Sequence, residues 1–416
     1  MRPQTYVKDR HGIDGGRVDK DALCVLSRLR AAGFLAYLVG GGVRDLLLDE
    51  EPKDFDISTS AKPEEIKKLF SSCFLIGRRF RLAHVRFGRK IIEVSTFRAG
   101  DTEDETLITE DNIWGTPEQD VLRRDFTVNG LFYDSLREEV IDYVGGYPDI
   151  RKKYLRVIGQ PEIRFKQDPV RMIRLLKFRA RYGFEVDEEA MGALVVCKRE
   201  IIKSAPPRVL EELLRMLESG SAVPFLELMM EHEILRQITP ELWQLLRKEG
   251  REIFPYLKEA DALRHDPESA SPGRPVLVGC LLFPSLEKTV RTLCSGRSKS
   301  PYQGEIHREA CRLIDEICTP FFRLPKRLRM TVADLLTSQY RIVPPEEKNR
   351  KSIRVPRSAT FGDALQFFAL RARLYPEWQP ISEEWNARFA PVLKEVQHHA
   401  RRKRRGRRTR GSRVRR

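Results

Sequence analysis

Two short segments near the amino terminus contain residues that could bind a nucleotide and a metal ion. The first is Gly40-Gly41-Gly42-Val43-Arg44-Asp45, and the second, which follows it, is Asp54-Phe55-Asp56. A glycine turn at a helix start lets backbone N–H groups come close to a phosphate. Alternation along a strand would direct the carboxylates of Asp54 and Asp56 to one face, where they could share Mg²⁺. The ordered pair indicates phosphoryl chemistry on a nucleotide.

A third segment, Arg123-Arg124-Asp125-Phe126-Thr127-Val128-Asn129, mixes guanidinium groups with an acid and an amide. On a helix, Asp125 and Asn129 would share a face and suit ribose hydroxyls. Arg124 could fork onto triphosphate oxygens. The alternative is an exposed basic helix start that Asp125 caps.

A fourth segment, Asp168-Pro169-Val170-Arg171, could read a nucleotide base. On a helix, Asp168 and Arg171 would lie on one face, the carboxylate accepting from the adenine amino group and the guanidinium donating to a ring nitrogen. The structural alternative is that Asp168 is an N-cap with Pro169 at the first helical position.

These four motifs, in this order, resemble those of the class II nucleotidyltransferases, the family of bacterial poly(A) polymerases and tRNA CCA-adding enzymes. The resemblance runs from about Phe34 to about Leu235. It implies two Mg²⁺ ions held by Asp54, Asp56 and a third acid, which matches Glu93, with ATP as substrate and RNA 3′ ends as acceptors. A solvent-facing strand residue is the alternative for Glu93.

The resemblance also extends to the last motif, where it adds Arg174 to the ATP-binding residues and matches Asp168 and Arg171 to the base-reading pair. Family members usually have Glu before this Asp, whereas this chain has Gln167, which keeps an acceptor. Arg208, in Pro206-Pro207-Arg208, resembles a later motif and could contact phosphates or orient the base readers. The alternative is a helix-start arginine that pairs with Glu212.

One basic segment, Gly77-Arg78-Arg79-Phe80-Arg81, bears on which reaction the enzyme performs. It resembles the stretch that marks bacterial poly(A) polymerases, whereas CCA-adding enzymes typically have a Gly-Thr-Val kind of sequence there. Arg78, Arg79 and Arg81 around one aromatic ring could bind RNA phosphates or stack on a base. The sequence thus predicts poly(A) synthesis. A CCA- or A-adding enzyme is the nearer alternative, and a non-catalytic RNA-binding protein is a more distant one.

The net charge of +16 is concentrated in one place. Residues 401–416 contain 11 Lys or Arg and no acid, which leaves 65 basic against 60 acidic residues elsewhere. We expect this segment, which begins Arg401-Arg402-Lys403-Arg404-Arg405, to be disordered when free and to bind RNA phosphates. A ribosome-binding tail or a solubility device would have the same composition.

Composition excludes several classes of protein. The chain has no run of 18 apolar residues and no apolar segment of signal-peptide type at its start. Its seven cysteines are scattered without a Cys-x-x-Cys pair, which favours reduced thiols in the cytoplasm over a disulfide frame or a zinc site. We therefore expect no membrane association.

Hydrophobic periodicity predicts the elements that position the motifs. Short strands and helices alternate up to about Tyr147, including strands over 82–87 and 90–97, and helical patterns dominate from Pro161 onwards. The fold class is therefore α+β, a small mixed-sheet nucleotidyltransferase head followed by an all-α neck and body and a disordered basic tail. The predicted divisions are a loose leader (1–20), a catalytic head (21–150), a neck that recognises the base (151–240), an RNA-binding body (241–399) and the tail (400–416).

Overall fold

The structure is a computed structural model that describes residues 2–77, 81–100, 107, 113–295, 301–343, 354–358 and 360–394. The chain divides into two compact units, Met1–Ser204 and Ala205–Arg416. The first contains a mixed sheet and the second is helical in its described part, which confirms the predicted head and helical body. The finer divisions within them stay predictions, and the predicted tail lies outside the described residues.

The first unit is built on an eight-stranded sheet in the order β1-β8-β7-β2-β3-β6-β5-β4. Its neighbours pair antiparallel, with one parallel pair at β3 and β6. The strands are β1 Gln4–Val7, β2 Ala36–Val39, β3 Asp56–Thr59, β4 Cys73–Ile76, β5 Leu82–Phe87, β6 Lys90–Thr96, β7 Leu131–Asp134 and β8 Glu139–Asp142. A separate parallel pair is formed by β9 Tyr154–Leu155 and β10 Glu185–Val186.

Short helices surround this sheet. They are α1 Lys8–His11, α2 Lys20–Ala31, α3 Gly41–Leu47, α4 Pro63–Leu69, α5 Pro117–Leu122, α6 Gly146–Lys152, α7 Pro161–Gln167, α8 Val170–Tyr182 and α9 Glu188–Cys197. Local sequence fixes several of their ends. Asp19 caps α2 by accepting from the N–H groups of Asp21 and Ala22, and Thr116 forms a capping box with Gln119 at the start of α5.

One face of strands β4, β5 and β6 is buried and the other is open. Ala83 and Val85 of β5 and Ile92 and Val94 of β6 are at most 2% exposed. Alternation along each strand then places Glu93 and Ser95 of β6 on the opposite face, where burial is incomplete. This open face holds the carboxylates predicted to be catalytic.

Three predictions about local structure are wrong. The expected loose leader instead contains β1, which pairs with β8, and Ile13 and Val18 are buried. Residues 123–129 do not form a helix, because α5 ends at Leu122 and a 3-10 helix covers only Thr127–Asn129. The apolar periodicity of residues 161–181 predicts one helix, but the structure breaks it into α7 and α8 at Asp168-Pro169, since proline disfavours helical conformation in the residue before it.

The second unit packs amphipathic helices around an apolar core. They are α10 Pro206–Leu217, α11 Ala222–Glu231, α12 Ile234–Ile238, α13 Pro240–His265, α14 Arg274–Ser295, α15 Gln303–Cys318, α16 Lys326–Ile342, α17 Thr360–Leu374 and a helix over 379–394. Within the ranges the structure covers, no helix is both long and apolar enough to cross a membrane. All seven cysteines are free.

Candidate active site

A cavity of about 430 Å³ in the first unit brings six of the predicted residues together. Asp56 and Glu93 lie on its sheet wall, Arg124 follows the end of α5, Asp168 follows α7, and Arg171 and Arg174 lie in α8. The full lining is Val39, Asp56, Ile57, Leu82, Glu93, Ser95, Arg98, Asp120, Arg123, Arg124, Asp168, Arg171 and Arg174. Carboxylates and guanidinium groups thus converge on one space, as phosphoryl transfer requires.

The sheet wall places two carboxylates side by side. Asp56 is the first residue of β3 and is in register with Glu93 on the parallel strand β6. Register partners on neighbouring strands direct their side chains to the same face. Glu93 in turn has His84 of β5 as its partner, with His84 Nε2 at 3.4 Å from Glu93 Oε2. That separation is long for a hydrogen bond, so we treat the contact as electrostatic.

Asp54 and the glycine turn have a different place from the one predicted. Asp54 lies before β3 rather than in it, and it is exposed. A Cβ atom on Gly42 would lie 3.2 Å from the Asp54 carbonyl oxygen, so glycine permits α3 to pack against this segment. Gly40 has φ +67°, a left-handed conformation that favours glycine. The cavity lining in the described residues does not include Gly41 or Gly42.

The opposite wall is rich in arginine. Arg124 donates to Asp120 Oδ2 at 2.9 Å and to Ser58 Oγ at 3.2 Å, and Arg123 Nη1 donates to the Ala99 carbonyl at 2.7 Å. Burial, together with neighbouring Arg98 and Arg171, lowers the pKa of Arg123 to about 10. Guanidinium groups held this close repel one another, and an anion between them relieves the repulsion. This wall therefore suits a polyphosphate.

Arg171 and Asp168 lie at the junction of α7 and α8. Asp168 ends α7, and Pro169 stands at the N-cap of α8. Arg171 is buried and donates to the Arg123 carbonyl at 2.9 Å and the Arg164 carbonyl at 3.3 Å. These bonds fix its position against the arginine wall.

Gln167, the departure from the family pattern, is buried outside the cavity lining. Its Oε1 accepts from Arg164 Nη1 at 2.6 Å. Arg164 also donates to the carbonyls of Arg123 and Arg124, at 2.7 and 2.9 Å. Burial and the charge of Arg171 lower the pKa of Arg164 to about 9. Gln167 thus supports the backbone that carries the arginine wall.

Four other predicted residues form what we call the buried network: Arg44, Asp45, Asn129 and Asp125. Arg44 donates to Asp45 Oδ1 at 2.6 Å and to Asn129 Oδ1 at 2.6 Å, and its guanidinium lies over the Phe178 ring. Asn129 Nδ2 donates to Asp125 Oδ1 at 3.0 Å. All four side chains are buried, and the described residues that line the cavity do not include them.

The buried network reaches the cavity through Arg174, whose Nη2 lies 2.8 Å from Asp125 Oδ2. Burial by itself would raise the pKa of Asp125. The charge of Arg174 and the bonds from Asn129 and the Phe126 N–H outweigh burial, so the pKa of Asp125 lies below its usual value. Asp125 is therefore an ionised anchor that positions a cavity arginine.

The remaining predicted residues lie elsewhere. Arg81 pairs with Glu64 at 3.0 Å on the surface of the first unit, and Arg208 lies in α10 of the second. Arg78, Arg79 and the tail residues 401–405 lie outside the described residues.

Sequence reasoning missed Arg98, Arg123 and Asp120 as lining residues. Arg123 stands in the third motif and could have been included on that ground. Arg98 lies beyond the end of β6, and its N–H donates to Asp120 Oδ1 at 3.2 Å. Arg98 and Asp120 do not belong to a recognised motif. Only the fold brings their two segments together.

A larger cavity, of about 930 Å³, lies in the second unit between α10, α14 and α16. Arg274, which lines this cavity, donates two hydrogen bonds to Glu211, of 2.9 and 2.8 Å. The smaller cavity of the head is the better candidate, because it contains the paired carboxylates that the larger one does not have among its lining residues.

Two parts of the chain match domains of a known protein family. Residues 36–156 match the poly(A) polymerase head domain, and residues 183–246 match a domain described as a probable RNA and SrmB-binding site of polymerase A. The chain is 35% identical over 391 residues to poly(A) polymerase I of Escherichia coli O6:H1, covering 90% of this chain and 83% of the relative. It is 36% identical to the CCA-adding enzyme of Enterococcus faecalis over 213 residues, 50% of this chain and 52% of that one.

Among solved structures, the fold is similar to the CCA-adding enzyme of Bacillus stearothermophilus crystallised with CTP. The TM-score is 0.63 and the identity 25%, with 89% of this chain and 82% of that chain covered. Fold and cavity therefore define a nucleotidyltransferase. More particularly, the chain belongs to the bacterial poly(A) polymerase I family.

Proposed function

We propose that this enzyme transfers AMP from ATP to the 3′ hydroxyl of RNA without a template, and so makes poly(A) tails. The proposal rests on how much of the chain is similar in sequence to each relative. The similarity to poly(A) polymerase I spans 90% of the chain, whereas the similarity to a CCA-adding enzyme, at comparable identity, spans half. The similarity to poly(A) polymerase I therefore includes both the head and the helical unit.

The cavity chemistry supports ATP as the substrate. Arg98, Arg123 and Arg124 offer guanidinium groups to the triphosphate, and Arg174, anchored by Asp125, adds another. Asp168 and Arg171 lie at the junction of α7 and α8, where a carboxylate and a guanidinium would read adenine. The buried network, with Arg44 and Asp45, would position these groups rather than contact the nucleotide.

The donor set also fits Mg²⁺. Among the described residues, no group of three or more His, Cys, Asp or Glu side chains is close enough to hold a metal. Mg²⁺, however, is usually bound by one or two carboxylates together with substrate phosphates, and Asp56 and Glu93 offer such a pair beside the arginine wall. When bound, Mg²⁺ would lower the pKa of the 3′ hydroxyl and neutralise charge on the phosphates. Asp54, two residues before Asp56 in the sequence, is the third proposed ligand, as the family resemblance implies.

One assay separates this function from the nearest alternative. Purified protein is incubated with an unstructured RNA and with a tRNA lacking its CCA end, each with ATP, CTP or both. Poly(A) synthesis gives a long ladder on unstructured RNA with ATP alone. Addition of only C, C and A to the tRNA, with no ladder on the other RNA, would establish the CCA-adding activity instead.

The free cysteines fit a reducing cytoplasm. We also propose that the basic segment 401–416 holds RNA through its phosphates. Deleting 401–416 should leave kcat at saturating RNA unchanged. It should weaken RNA binding at low salt and make the plot of log affinity against log salt shallower, because fewer counterions are released. The same salt slope in both proteins would rule out this role.

A further inference from the structure

The open face of the head's sheet continues past the catalytic carboxylates to the edge of the sheet. Asp56, Glu93, His84 and Phe74 are successive register partners across β3, β6, β5 and β4, so their side chains share that face. Phe74 lies two strands from Glu93, a separation of roughly 10 Å. The row therefore leads directly from the proposed metal ligands to an aromatic ring.

The outer part of this face carries two exposed apolar side chains. Phe74 is 56% exposed, and Ile91, two residues before Glu93 on β6, is 51% exposed. Together with His84, which lies between Phe74 and Glu93 in the row, they form what we call the edge platform. Phe74 is on the edge strand β4, where an exposed apolar side chain favours aggregation unless something covers it.

The nucleotide cavity and the edge platform adjoin at Glu93, which lines the cavity and is the register partner of His84. Along β5 and β6 its lining includes Leu82 and Ser95, whereas Phe74, His84 and Ile91 do not belong to it. Nucleotide transfer joins two substrates at the carboxylates. If ATP fills the cavity, the edge platform is an exposed surface next to Glu93 over which the acceptor can approach the carboxylates.

We propose that the edge platform binds the last nucleotides of the RNA acceptor, with a base stacked on Phe74. This inference rests on the proposed function and names the surface that its second substrate uses. Aromatic side chains bind bases of any sequence by stacking, which suits an enzyme that extends unrelated RNAs. A cation is at hand for the backbone, since Arg86 pairs with Ile91 in register and is exposed, with its Nε donating to the Gly88 carbonyl at 2.7 Å.

The test compares Phe74→Ala with wild type in two measurements. Steady-state extension with ATP should show KM for RNA raised about 5- to 150-fold, the usual range for loss of a base stack, with KM for ATP unchanged. Fluorescence anisotropy with a short labelled RNA and no ATP should show a matching rise in Kd. Phe74→Trp should restore both values, whereas a merely structural role would not distinguish the two substrates.

Leu136→Ala is the matched control, because Leu136 is an apolar residue 77% exposed in the turn between β7 and β8. It should leave both values unchanged. RNA with 5-iodouridine near its 3′ end should also crosslink to the peptide containing Phe74. Unaltered Kd and KM for RNA in Phe74→Ala would overturn the platform. A wild-type protein that does not extend RNA with ATP would overturn the proposed function, and the binding measurement would still test the platform.

Discussion

Two sets of acidic side chains in the head differ in their surroundings. Asp56 and Glu93 face the cavity and are partly or largely accessible, whereas Asp45 and Asp125 are buried and engaged by arginine and amide groups. A substrate can reach the first set and not the second. We therefore expect the motifs of this chain to mix residues that contact the substrates with residues that hold those residues in place.

The largest effect is expected at the accessible set. Asp56→Ala or Asp54→Ala should lower kcat at least ~10³-fold, because metal and electrostatic stabilisation of the transition state are lost together. The melting temperature should stay near that of wild type, since both side chains are exposed. Asp9→Ala, at an exposed acid of α1, is the control for turnover. Wild-type kcat in Asp54→Ala or Asp56→Ala at saturating Mg²⁺ would disprove the assignment of that residue.

The buried set should respond in stability instead. Asp125→Ala leaves the Asn129 amide and the Arg174 guanidinium without their carboxylate, and we expect the free energy of unfolding to fall by about 3 kcal/mol. Urea denaturation measures this loss. A variant as stable as wild type, but with a raised KM for ATP, would mean that Asp125 contacts the ribose after all.

Arg171 shares features of both sets, since it lines the cavity and is buried. Arg171→Ala should reduce the preference for ATP over the other nucleotides by roughly 1 to 3 kcal/mol, the size of a good bidentate base contact. Arg164→Ala is the comparison, because Arg164 bonds the same backbone from outside the cavity lining. It should cost stability with nucleotide preference intact. The same outcome for Arg171→Ala would make Arg171 a purely structural residue.

The smallest effect concerns pH. Asp125 has a pKa below its usual value, so its ionised form stabilises the fold above the pKa of the unfolded chain, about 4, and this contribution disappears as pH falls through the lower folded value. The stability difference between wild type and Asp125→Asn should therefore shrink as pH is lowered from 5 towards 2. A difference that stays constant over that range would contradict the ion pair with Arg174.

The sequence alone determined the family, the fold class and six of the cavity residues. Paired strands around Gly88 and the helical second half were predicted because apolar periodicity is a local property of the chain. Asp56 was identified from a motif, and Glu93 from its match to the third acid of the family that the motifs resemble. These patterns can be recognised in the sequence without knowledge of any long-range contact.

Tertiary structure decided which motif residues line the cavity. Arg44, Asp45 and Asn129 read as ATP ligands in the sequence, yet folding pairs them with one another, because ionised groups buried together must satisfy each other's charge and hydrogen bonds. Arg98 and Asp120 came into the site only through the packing of segments distant in sequence. The exposed row from Asp56 to Phe74 likewise depends on strand register, which no residue spacing specifies.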